Sequence, residues 1–247
     1  MFPIRDHNPS GRVPYVTYML MAANIGIFFS TWDLHGDTRA LYNFYANWAL
    51  VPAFVSEGTG YTGFLSSMFL HGGLAHLGGN MLFLFIFGDN VEDEMGHGPY
   101  LMFYLACGIG AGLAQYLSDP TSTIPTVGAS GAIAGVMGGY LLLFPKARID
   151  ILVILIIIFR IIPLPAWIVL ALWFGMQLFG GFGSPAGAGG IAYWAHAGGF
   201  AIGVALTLPL WLRLGGPLFW QRTHGHPPHP VARYANSTTR IPRIPRR

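Results

Sequence analysis

Apolar runs about 20 residues long constrain a chain more than any motif, because that length matches a lipid hydrocarbon core of about 30 Å. Six such runs are read here, at 14–32, 74–93, 98–117, 127–144, 164–181 and 192–213. In lipid, each segment must satisfy its own backbone hydrogen bonds, which selects helices. The expected fold class is therefore an all-α polytopic membrane protein of six transmembrane helices. Composition agrees: 53% of the 247 residues are hydrophobic and 9% charged, where soluble domains run near a quarter charged. The single cysteine, Cys107, lies inside an apolar run and offers neither an internal disulfide nor a cysteine metal site. No cofactor, metal or nucleic-acid partner is expected. The partner implied by the composition is membrane lipid.

Proline marks several boundaries. Pro14 suits the first turn of helix one, Pro125 and Thr126 precede helix four, and Pro145 closes it. Residues 1–13 form a short amino-terminal segment without a clear cleavage site, so the first helix is expected to be retained. The segment 151–162, ILVILIIIFRII, is too short to span and is read as an interfacial connector or an extension leading into helix five. Basic residues set orientation. With six spans, Arg5, Arg12, Lys146, Arg148, Arg160 and the seven arginines from Arg213 onward share one side, and only Arg39 lies opposite. Both termini are therefore expected to be cytoplasmic. Residues 33–63 form a long loop with Tyr42, Phe44, Tyr45, Trp48 and Phe54, rings that favour the membrane interface. Residues 214–247 are rich in proline and arginine and carry His224, His226 and His229; they are expected to be a disordered basic tail.

Strongly polar groups inside spans are expensive and mark function. His71, His76 and Asn80 are assigned to helix two, Gln115 to helix three, Ser130 to helix four and His196 to helix six. Each alone could serve as hydrogen-bonding glue between helices. Together they point to chemistry. His76 and Asn80 are four apart and share a helix face. Ser130 falls in the first turn of helix four, beside free backbone N–H groups and the positive end of the helix dipole. His196 lies at similar depth near the start of helix six. Gly131, Gly135 and Gly139, with Gly199 and Gly203, make small-residue faces that let two helices approach closely. No carboxylate in the outer halves of the spans can orient His196. The reading is a Ser-His dyad: His196 takes the Ser130 proton as the hydroxyl attacks a carbonyl. The Ser130 N–H, His76 and Asn80 hold the oxyanion.

Three stretches carry a resemblance to the rhomboid family of intramembrane serine proteases. GASG at 128–131 resembles the family's nucleophile motif, HGGLAHLGGN at 71–80 its helix-two pattern, and AHAGGFAIG at 195–203 its catalytic histidine followed by GxxxG. The resemblance covers about residues 14–213 as one six-helix membrane domain. It implies Ser130 as nucleophile, His196 as base, and His76 and Asn80 as oxyanion donors, with Gly128 shaping the approach to the serine. It also implies a membrane-embedded first loop at 33–63 and a mobile helix five bearing Trp167, Trp173 and Phe174. Glu92 matches the family's glutamate at the end of helix two, a structural group. Two positions depart from the pattern. An arginine found in some members two residues after that glutamate is Glu94 here, which leaves any matching ion pair in doubt. A tyrosine that stacks on the histidine in some members is Ala134, so a slightly looser dyad is expected.

The function so implied is cleavage of single-span membrane proteins in or near their transmembrane helix, after a small side chain. The rival readings are an inactive rhomboid-like binding factor, a small transporter, and a metalloprotease. Loss of Ser130 or His196 would mark the first, an internal repeat the second, and an H-E-x-x-H run the third. The sequence shows none of these marks. The expected location is a multi-pass position in a prokaryotic plasma membrane.

Overall fold

The computed structural model describes residues 2–155, 158–184 and 190–228. A strand, β1 (Phe2–Asp6), leads into α1 (Tyr15–Ser30). A 3₁₀ turn at Trp32–Gly36 is followed by α2 (Thr38–Trp48), α3 (Pro52–Ser56) and α4 (Gly63–Ser66). The long helices α5 (Leu74–Met95) and α6 (His97–Ser118) come next, then α7 (Ser130–Leu143). A hairpin of β2 (Arg148–Leu155) and β3 (Ile158–Pro165) precedes α8 (Ala166–Gly183), α9 (Tyr193–Arg213) and α10 (Pro217–Thr223).

The protein is mostly helical. By length and composition α6, α8 and α9 can cross a membrane. Residues Gly63–Phe69 and α5, bent by 94° at a short break, make a fourth candidate span. Helices α1 and α7 are apolar but shorter. Each of the six apolar runs is thus helical, within a few residues of its expected ends.

Helix α7 sits at the centre. Every residue from Gly131 to Tyr140 is buried, and α7 packs most extensively on α9 and then on α6. Glycine permits this. A Cβ at Gly199 would fall on the Gly131 carbonyl oxygen, and one at Gly203 on the Gly135 carbonyl oxygen. Tyr100, Tyr104, Tyr140, Phe87 and Leu84 fill the core beneath. Helix α1 is fixed at its start by another helix. The Glu92 carboxylate accepts the Val16 and Thr17 backbone N–H groups, both at 2.8 Å, and the Thr17 hydroxyl at 2.7 Å. These are donors that a helix N-terminus leaves unpaired.

Three expectations fail. The stretch 151–162 is not a helical extension: β2 and β3 pair as a hairpin between α7 and α8, and β2 also pairs antiparallel with β1 in a three-stranded sheet. Its β-branched content favours strand, but the partner strand lies some 145 residues away in sequence and gives no local signal. Arg5 and His7 bind Asp150 at 2.7 and 2.6 Å across that pairing. Burial pushes the Asp150 carboxyl up, yet the hydrogen bonds from His7 and Arg5 outweigh it and hold the group below its ordinary value. Second, the segment after 214 is ordered at first: α10 buries Phe219, and Trp220 Nε1 donates to the Leu142 carbonyl at 2.9 Å. Pro217 at the helix start and the apolar Leu-Phe-Trp run explain it. His229 and the arginines beyond it lie outside the described residues. Third, His71 stands in the turn before α5, not on the helix, and is buried.

Candidate active site

The approach to Ser130 is held by backbone pairing. Leu50 and Thr126 exchange hydrogen bonds of 3.1 and 2.8 Å, which ties residues 126–129 to the loop ahead of α3. The Gly128 N–H then donates to the Ser67 carbonyl at 2.9 Å. Gly128 has φ +130°, a conformation side chains rarely adopt, and a Cβ there would stand 2.8 Å from His76 Nε2. Both features require glycine. The chain turns at once into α7, and Ser130 is its first residue.

His196, in the first turn of α9, reaches across the α7–α9 contact. Its Nε2 lies 2.7 Å from Ser130 Oγ, an ordinary hydrogen-bond length. Ala134 brings no ring to His196, and the ring beside it comes from α8. Trp173 on α8 stands 5.9 Å from the His196 ring, tilted by 35°. Gln115 on α6 contributes as well: its Oε1 accepts the Ala195 N–H at 3.2 Å and anchors the start of α9.

Sequence reasoning missed one residue, Gln177 on α8. Its Oε1 lies 2.8 Å from His196 Nδ1. The signal was present as a strongly polar side chain inside the apolar run AWIVLALWFGMQLFG.

His76 and Asn80 both line the cavity in front of the serine. The Gly72 N–H points at His76 Nδ1 over 3.4 Å, which favours the proton on Nε2. That nitrogen faces the space above Gly128, beside Ser130 Oγ. Asn80 is buried and its Nδ2 has no hydrogen-bond partner among the described residues. The cavity measures about 950 Å³ and runs from Gly72 and His76 past Ser130 to Trp173, Gln177 and His196. His71, outside that lining, packs edge-on to His76 with ring centres 5.1 Å apart. Its carbonyl accepts from Tyr45 Oη at 3.3 Å. No group of three His, Cys, Asp or Glu side chains among the described residues is placed to hold a metal ion.

Residues 58–213 match the Rhomboid domain family. The chain belongs to the rhomboid family. This rhomboid chain is 34% identical to Rhomboid protease GluP of Bacillus subtilis over 128 residues, which is 52% of this chain and 24% of that protein. It is 28% identical to Rhomboid protein 1, mitochondrial, of Saccharomyces cerevisiae over 193 residues, 76% of this chain and 51% of the relative. It is 32% identical to Rhomboid-related protein 2 of Mus musculus over 149 residues, 56% of this chain and 44% of the relative. The chain thus spans about a quarter to a half of the length of these curated relatives. The matched span contains the positions of His71, His76, Asn80, Ser130, Gln177 and His196. Glu92 accepts from His97 Nδ1 at 2.6 Å in addition to its hold on α1.

Proposed function

We propose that this protein is an intramembrane serine endopeptidase that cleaves single-span membrane proteins in or near their transmembrane helix. The observation that carries the proposal is the 2.7 Å approach of Ser130 Oγ to His196 Nε2 inside a cavity that also presents the unpaired Asn80 amide. Neutral His196 accepts the Ser130 proton on Nε2 as Oγ attacks the scissile carbonyl carbon. The carbonyl oxygen becomes an oxyanion, held by the Ser130 backbone N–H, His76 Nε2–H and Asn80 Nδ2–H. Gly128 keeps the space for it open, since any side chain there would stand against His76. The imidazolium then gives its proton to the leaving amine, and the C–N bond breaks. Water, deprotonated by His196, attacks the acyl-serine and releases the second product.

Six spans with both termini cytoplasmic fit the arginine distribution. On that topology Ser130 and His196 lie toward the outer leaflet, and residues 33–63 lie along its boundary. The substrates are transmembrane segments that can unwind locally near that depth.

The test is cleavage of a single-span reporter in liposomes by wild type, Ser130→Ala and His196→Ala. Cleavage by wild type alone supports the dyad. Equal cleavage by Ser130→Ala refutes it.

A further inference from the structure

His196 can serve Ser130 only if Nε2 carries no proton, so its proton must sit on Nδ1. A neutral imidazole free of constraint takes either tautomer. Among the described residues no carboxylate is hydrogen-bonded to His196, whose ring partners are Ser130 and Gln177; the other titratable side chains lining the cavity are His76 on α5, Asp119 after α6, whose carboxylate accepts from Thr121, and Tyr193 on α9. Helices α7 and α8 contribute none to that lining.

We infer that Gln177 is the positioning residue of the dyad: its Oε1 accepts the Nδ1 proton of His196 and so selects the tautomer that can act as base. The inference rests on the dyad reading above. The amide itself is oriented, because Gln177 Nε2 donates to the Trp173 carbonyl one turn earlier at 3.3 Å. Turning it over would set its oxygen against that carbonyl oxygen and its NH₂ against the Nδ1 proton. Both contacts would then be repulsive. Gln177 is 8% exposed. Trp173 therefore acts twice: its ring flanks His196 and its carbonyl fixes the amide that holds His196.

Gln177 differs from an aspartate in the same place. It supplies a dipole, not a charge, and so orients the imidazole while giving little help to the imidazolium that forms during attack.

The experiment uses the full chain in liposomes, with kcat, KM and the pH profile of kcat/KM measured on the single-span reporter. Thermal midpoints and the rate of Ser130 labelling by a fluorophosphonate are read in parallel. Gln177→Met keeps length and removes the acceptor. It is expected to lower kcat and the labelling rate about tenfold, the scale of one neutral hydrogen bond, with KM and the thermal midpoint unchanged. Gln177→Glu restores an acceptor and adds a negative charge beside Nδ1. It is expected to recover activity at neutral pH and to move the acid limb of the profile to higher pH, because the carboxylate favours the protonated ring. A Gln177→Met variant with wild-type kcat overturns the inference, as does a loss that merely tracks a lowered thermal midpoint. So does a Gln177→Glu profile that coincides with wild type. If Ser130→Ala is silent while Gln177→Met is unaffected, the dyad stands and this inference falls. If wild type neither cleaves nor takes the label, both fall.

Discussion

Glu92 gives the sharpest stability test. Its Oε1 accepts from the Val16 N–H at 2.8 Å and from His97 Nδ1 at 2.6 Å, while Oε2 accepts from the Thr17 N–H at 2.8 Å and the Thr17 hydroxyl at 2.7 Å. The side chain is 1% exposed. Glu92→Gln changes almost no volume but replaces one acceptor oxygen by a donor NH₂. Placed toward Thr17, that NH₂ can be met by a rotated hydroxyl but not by the backbone N–H. Placed toward Val16, it can be met by His97 in its other tautomer but again not by the backbone N–H. Either way one buried donor at the start of α1 faces another donor. The loss of a charge-assisted bond and the stranded N–H together come to about 3 kcal/mol. At roughly 2–4 °C per kcal/mol for a chain of this size, the midpoint should fall by about 6–12 °C. The assay is thermal unfolding in a fixed detergent, followed by tryptophan fluorescence. The control is Glu57→Gln, the same charge change at an exposed site, expected to stay within about 0.5 kcal/mol of wild type. A fall of less than about 2 °C for Glu92→Gln would refute the assignment of Glu92 as the clamp on α1.

Other outcomes follow from the same contacts. Gly203→Ala drives a Cβ into the Gly135 carbonyl, where backbone meets backbone; the α7–α9 pair must part, at about 1–3 kcal/mol, and cleavage should drop more steeply than stability. Gly128→Ala combines φ +130° with a Cβ 2.8 Å from His76, so fluorophosphonate labelling of Ser130 should be lost while the far-UV spectrum is kept. Asp6 in β1 accepts from Tyr140 Oη at 3.1 Å, and burial, then the neighbouring Asp89 carboxylate, push its carboxyl from 3.8 up to about 7. The folded state therefore holds a proton that the unfolded chain has released, and its stabilising effect is complete below about pH 4 and lost as pH climbs toward 7. Asp6→Asn should flatten that part of a midpoint-against-pH plot; an unchanged slope would refute it.

What the sequence made legible was whatever repeats along one helix. His76 and Asn80 four apart, and glycines four apart on α7 and α9, foretold a shared face and a close crossing, and both are found. Ser130 at a helix start was legible because glycine and proline punctuate the chain before it. What escaped depends on elements far apart. The sheet needs β1 to meet β2, and nothing near 148–155 announces a strand at 2–6. The ordering of α10 needed a carbonyl at Leu142 and a core surface for Phe219. Gln177 was visible as a polar residue among apolar ones, but its meaning required knowing that α8 passes the Nδ1 side of His196. Trp173 escaped for the same reason: Ala134 on α7 brings no ring, and the ring that approaches His196 comes from α8.

Helix α8 keeps only Ala166, Leu170 and Gln177 buried, while Phe179 and Phe182 are 82% and 79% exposed. Among the long helices it is the one held by the fewest buried side chains, and so the one that costs least to tilt outward. Because it also carries the amide against His196, a tilt that widened the cavity would withdraw the tautomer control in the same movement. The molecule would then behave as an interlock: with α8 seated the imidazole is armed, and with α8 displaced it idles. A segment could enter through an opening that is, for that interval, chemically quiet, and hydrolysis would wait for the helix to come home.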